Sequence, residues 1–159
     1  MSQKSLVKWI QGILIGFAIC GVIFYGGLIP NIGLDLVSSY PEFGYMFYPW
    51  LVFILLTAIP CYIFLFFAWK VTLNIDKDNS FCMENSIHLR NMAYLTLFDT
   101  VFFMVGNIVY FLLGMNHPSI LLGSILVVFV GVAISVACAA LSHLVSNAAK
   151  IKDENDLTI

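Results

Sequence analysis

The residue in this sequence whose type and place most invite chemistry is Asp99, set in an apolar run that extends from 92 to 115. An aspartate deep in a membrane helix costs up to about 3 kcal/mol on insertion scales, so it must face other protein and carry a partner or a proton. If the membrane begins near Met92, Asp99 lies about 10 Å inside it at the helical rise per residue. Phe103, Gly106, Asn107 and Tyr110 continue the same side of the helix. Asp99 and Asn107 therefore define a polar seam, which serves either as a ligand or ion site or as interhelical glue. Two basic side chains are candidate partners. Lys70 has an aliphatic stem that can snorkel about a turn of helix. His143 is preferred, because it lies on the helix that a short turn makes the antiparallel neighbour of Asp99's helix. An Asp99–His143 pair would give the protein a pH-dependent step.

Other chemistries find little support. Cys20, Cys61, Cys82 and Cys138 form no C-x-x-C pair, and the three histidines are scattered, so no metal or haem ligand set is expected. No nucleophile–base pair or phosphate loop is readable. The expectation is a protein that is not an enzyme, with no catalytic residues and no cofactor. A net charge of −2 without a basic stripe argues against direct nucleic-acid binding.

The elements that must position the seam are membrane helices. The chain is 61% hydrophobic over 159 residues, with a mean hydropathy of +0.97, well above the roughly 45–50% of soluble globules. Apolar runs at 6–29, 48–69, 92–115 and 120–141 each approach or exceed the about 20 residues a bilayer requires. The first run is longer than a signal-peptide core and is followed by no A-x-A site, so it is expected to stay as a helix. Lys4, Lys8, Lys70, Lys77, Arg90, Lys150 and Lys152 all fall on one side of this arrangement, which predicts both termini and the 70–90 loop in the cytoplasm. The expected fold is all-α and integral to the membrane. It is a single membrane domain, 1–159, with four transmembrane helices in one antiparallel bundle: 6–29, 48–74, 83–115 and 119–148. An outer loop is expected over 30–47.

Smaller signals refine each element. Gly12 and Gly16 form a G-x-x-x-G spacing, suited to a homo-oligomer seam or to close packing inside the protomer. In the outer loop, Tyr40, Phe43, Tyr45, Phe47, Tyr48 and Trp50 read as an interfacial belt, or as an aromatic lid that, with Asp35 and Glu42, receives a cationic or amphipathic ligand. Pro60 predicts a kink in helix two, with Thr57 placed to satisfy a freed carbonyl. Asn79 or Ser80 is expected to cap helix three, with Glu84 near its positive end. Gly131, Ser135 and Ala139 recur every fourth residue, so helix four should pack closely against at least two others.

Asn79-Ser80-Phe81, Glu84-Asn85, Leu89-Arg90, Pro60, Asp99 and the closing Glu154-Asn155-Asp156-Leu157-Thr158-Ile159 together resemble the bacterial membrane proteins grouped as the domain of unknown function 2975 family (the YoaS-like proteins). Cys82-Met83 stands where that pattern has Thr-Pro. The resemblance implies four helices in a bacterial inner (cytoplasmic) membrane, no assigned activity, and a small cytoplasmic helix-turn-helix regulator as partner. Membrane lipid and further copies of the chain are the other expected partners. The functional expectation is a regulatory, sensing or immunity-type accessory acting through protein contacts. Its output surface would be the 70–90 loop, with Asp78, Asn79, Ser80, Phe81, Glu84, Asn85 and Arg90, together with the C-terminal tail. The alternative is a small oligomeric transporter or channel subunit built around the Asp99–Asn107 seam.

Overall fold

The structure, a computed structural model, describes residues 3–156; Leu157–Ile159 of the closing motif lie outside them. It is all-helical, with α1 at Gln3–Ile23, α2 at Ile29–Ser39, α3 at Gly44–Asp76, α4 at Met83–Leu112 and α5 at Pro118–Asp156. A π-helical turn, Phe24–Leu28, joins α1 to α2 without a break. Among the described residues, four helical stretches are long and apolar enough to cross a membrane: Gln3–Ser39, Pro41–Asp76, Met83–Leu112 and Pro118–Asn155.

One difference from the sequence reading is the expected outer loop at 30–47, most of which is helix. Pro30 suggests a stop because its ring clashes with the carbonyl four residues back and offers no N–H. The π turn removes that conflict. Its wider spacing carries the hydrogen bond from the Ile29 N–H to the Phe24 carbonyl, and Asn31 Nδ2 donates to the Gly27 carbonyl at 2.8 Å. The helix then ends at Tyr40, where the following Pro41 drives the residue out of the helical region (φ −136°, ψ 77°).

The 70–90 segment follows the expected helix bounds of 74 and 83 to within two residues. Here α3 runs on to Asp76 and α4 starts at Met83, leaving only 77–82 as connection. The end of α3 is sealed by two bonds, Asp78 N–H to the Ile75 carbonyl (3.1 Å) and Asn79 N–H to the Asn74 carbonyl (3.0 Å), with Asp78 in the left-handed region at φ 56°. The same motif ends α4, with Gly114 at φ 70° and bonds from Gly114 to Phe111 and Met115 to Tyr110. The N-cap of α4 is Cys82, without a side-chain bond, so neither Asn79 nor Ser80 caps the helix. Pro60 sits inside α3, whose helical pattern continues through it, and the Thr57 hydroxyl donates to the Ile54 carbonyl rather than to that of Leu56.

The helices form an open bundle. Close backbone approaches in the described residues link α1 with α3, α3 with α4, and α4 with α5, so they stand in a row in chain order. Helix α5 thus has one neighbour at backbone distance; a second helix reaches its surroundings only through side chains, where Phe64 and Phe67 of α3 join the cluster of Met92, Ala93 and Cys138. Gly131 and Ser135 explain the close α4–α5 approach. A β-carbon at Gly131 would collide with the Thr100 side chain, and the buried Ser135 hydroxyl donates to the Ala93 carbonyl at 2.8 Å. Ala139 packs on the same cluster, and Ser86 and Ser142 donate to each other's carbonyls at 2.9 and 2.8 Å.

Candidate functional site

Two polar groupings deserve description, one midway along the helices and one at the end that carries Lys77, Lys150 and Lys152, called here the basic end.

The midway grouping is built around Asp99, which α4 turns toward α3 and α1. Cys61, the residue after Pro60 in α3, approaches it with Sγ 3.8 Å from Asp99 Oδ2. Tyr25, held in the π turn, places its hydroxyl 3.9 Å from the same sulfur. Asp99 Oδ1 is buried without a hydrogen-bond partner. The arrangement is a carboxylate, a thiol and a phenol from three helices, with one carboxylate oxygen unused. π turns recur at functional sites because they re-aim one side chain, here Tyr25.

His143 does not join this grouping, which corrects the sequence expectation. The Ser86–Ser142 bonds set the register of α4 against α5 and put exposed His143 at the level of Ser86. Asp99 is thirteen residues further along α4, roughly 20 Å away along the axis at the helical rise. The error lay in the register: the short turn does make α4 and α5 neighbours, but antiparallel pairing sets Asp99 beside the 131 region. Lys70 is also not a partner. It lies nine residues beyond Cys61, and its Nζ sits 4.9 Å above the Phe66 ring.

Asn107 does not touch Asp99 either. It is 1% exposed, donates to the Phe103 carbonyl at 2.9 Å, and accepts from Asn116 Nδ2 through both its side-chain and main-chain oxygens at 3.2 Å. It thereby ties the α4–α5 turn to α4. Between Asp99 and Asn107 the α4 face is aromatic. Phe103 stacks on Phe53, and Gly106 leaves room for the same ring. Beyond them the Tyr110 hydroxyl donates to the Pro49 carbonyl at 2.9 Å. The proposed seam is thus two separate sites joined by apolar packing.

At the basic end, Asn85 is the centre of a clasp. It is 1% exposed, accepts from Asn74 Nδ2 at 2.9 Å and donates to the Ser80 carbonyl at 3.0 Å. Asn74 also donates to Glu84 at 3.3 Å. Gln3 of α1 reaches the Ile75 carbonyl (2.9 Å) and Ser80 Oγ (3.3 Å), and Lys152 of α5 reaches Asn79 Oδ1 (3.3 Å). Every spanning helix therefore contributes a side chain or a carbonyl to this end. Asp78, Phe81 and Arg90 stay exposed, Phe81 at 57%.

With these positions fixed, comparison with known proteins becomes informative. A family model described as protein of unknown function (DUF2975) matches residues 31–159. The chain belongs to that family. It is also similar to the uncharacterized membrane protein YoaS of Bacillus subtilis (strain 168), 30% identical over 149 residues, covering 92% of each chain. No solved structure matches. The family match covers α3, α4 and α5 whole, and so takes in Asp99, Cys61 and the clasp, but begins after Tyr25.

Gly12 and Gly16 have nothing within 4 Å of where a β-carbon would stand, so they make no packing contact inside the protomer. The glycines that do so on this first stretch are Gly21, whose β-carbon would lie 2.8 Å from the Tyr62 hydroxyl, and Gly33, against Phe47. Three residues escaped the sequence reading: Cys61, Tyr25 and His88. His88 is buried against Phe67, and its Nε2 lies 3.4 Å from Glu84 Oε1 but outside hydrogen-bonding geometry. Its spacing of four from Glu84 was the available signal.

Proposed function

We propose that this member of the family is a non-enzymatic accessory of the bacterial inner membrane, with both termini in the cytoplasm, that acts through protein contacts at its basic end. The observation that carries this reading is the exposed Phe81 ring, set in a short connection whose backbone the Asn85 clasp holds in place. An exposed aromatic on a tied backbone, with Asp76, Lys77 and Asp78 close by in sequence, is the pattern of a binding anchor, since little backbone entropy is lost when a partner covers it. A cytoplasmic regulator of helix-turn-helix type is the partner to test first, on the family resemblance. In the full-length protein, a photo-crosslinker at Phe81 should capture that regulator, and Phe81→Ala should abolish co-purification while the membrane protein stays monodisperse. Unchanged co-purification after Phe81→Ala, with Lys77 and Asp78 also neutralised, would overturn the proposal.

A second reading, an oligomeric transporter or channel subunit, draws support from the unpartnered Asp99 oxygen and from the open row of helices, which only further copies could close around a path. A closed ring in mild detergent with Asp99 toward its axis would favour it; a monomer would count against it.

A further inference from the structure

At the end opposite the clasp, α2, the start of α3 and the α4–α5 turn border a half-open cavity of about 590 Å³. Two close contacts frame it. On one side the Trp50 indole N–H donates to the Met115 carbonyl at 2.8 Å, pinning the turn to α3. On the other, Gly33 lets α2 settle on Phe47, whose ring would lie 2.6 Å from any β-carbon there. No side chain fills the space between these anchors.

The lining chemistry selects a ligand class. The walls are apolar, with Ile32 and Leu36 from α2, Met46 and Leu51 from α3, and Ile120 from α5, and no Asp, Glu, Lys or Arg is among the lining residues. The volume falls within the roughly 300–1,000 Å³ of small-molecule sites. From Phe43 to Ile54 the α3 wall extends roughly 16 Å at the helical rise, suited to an extended chain. Two polar groups stand at the turn. Asn116 spends its amide N–H on Asn107 and leaves Oδ1 buried with no donor. His117 Nδ1 accepts the Ser119 N–H (3.2 Å) and lies 3.1 Å from the Ser119 hydroxyl. Asn116 and His117 both line the cavity at this turn, so a ligand's polar head belongs there. A charged head group would meet no counter-charge among the lining residues.

We infer that this cavity binds an uncharged single-chain amphiphile, its polar head at the Asn116–His117 turn and its hydrocarbon lying along α3. The site is independent of the protein contacts proposed for the basic end.

The test uses the full-length protein in lipid nanodiscs and a monoacylglycerol bearing a diazirine in its chain. Photo-adducts should concentrate on Ile32, Met46, Leu51 and Ile120. Excess unlabelled monoacylglycerol should reduce them at least tenfold, while the corresponding fatty acid anion or an alkyltrimethylammonium of equal chain length should not. Filling the cavity from either wall, with Ile32→Trp or with Met46→Trp, should lower labelling about tenfold in protein that remains monodisperse. Adducts spread equally over Leu122, Phe129 and Val136 on the exposed side of α5 would overturn the inference. So would equal competition by the charged amphiphiles, or native labelling in monodisperse Met46→Trp protein.

Discussion

The seam between α4 and α5 and the seam between α1 and α3 are built on opposite principles. The first is a row of small residues in which Ser86, Ser135 and Ser142 bond directly to the backbone of the facing helix. The second rests on larger groups: Gly21 receives Tyr62, whose hydroxyl donates to the Ala18 carbonyl at 3.1 Å. In lipid there is no hydrophobic drive between helices, so close backbone approach and interhelical hydrogen bonds must supply the association. The α4–α5 pair meets both conditions along most of its length. Helix α1 meets both at the Gly21–Tyr62 turn, with Gln3 adding one bond to the Ile75 carbonyl, so it is held at fewer points than the α4–α5 pair.

The comparison can be broken at its strongest point. Gly131→Leu should cost about 3 kcal/mol or more, because the added side chain meets Thr100 on the facing helix and neither backbone can give. Unfolding in mixed detergent–SDS titrations would measure it, and a cost under about 1 kcal/mol would show that the seam is looser than its geometry. Asn85→Ala comes next, at about 2 kcal/mol, since it leaves the part-buried Ser80 carbonyl and the Asn74 amide short of partners. The same titration, with proteolysis of the 77–82 connection as a second readout, should register it.

Tyr62→Phe should cost only about 0.6 kcal/mol, the mean for an interhelical bond in a membrane, and should loosen α1 alone. Spin labels on α1 and α3 would report that as a broadened distance distribution with the α4–α5 distance unchanged. The double variant Asp99→Asn, His143→Gln should show a coupling below about 0.5 kcal/mol, because groups this far apart act independently; a larger coupling in a thermodynamic cycle would contradict the register of α4 on α5. Smallest of all, Gly12→Leu and Gly16→Leu should each change protomer stability by less than about 0.5 kcal/mol, as nothing stands near either position. A large loss that depends on protein concentration would instead reveal a seam between copies.

Four helices, and the row Gly131–Ser135–Ala139 along one of them, follow from the sequence alone, because lipid admits only helices whose backbone groups bond internally, and small residues four apart share a face. The family was legible too, in Asn79-Ser80-Phe81 and Glu84-Asn85, although what those residues do was not: Asn85 holds a clasp, and Asn79 and Ser80 serve as its partners rather than as helix caps. Helix bounds were misjudged at 30–47, whereas the expected bounds 74 and 83 lie within two residues of those observed. Hydropathy reports the solvent around a segment, whereas a helix persists wherever its backbone bonds close, through Pro30 by way of a π turn and through polar 70–76 without one. The partners of Asp99 were beyond reach of the sequence, since they depend on how far α4 slides along α3 and α5. The packing of Gly106 on Phe53 and of Gly131 on Thr100, with the Ser86–Ser142 and Ser135–Ala93 bonds, sets that register, placing Asp99 beside Cys61 and leaving His143 some 20 Å away.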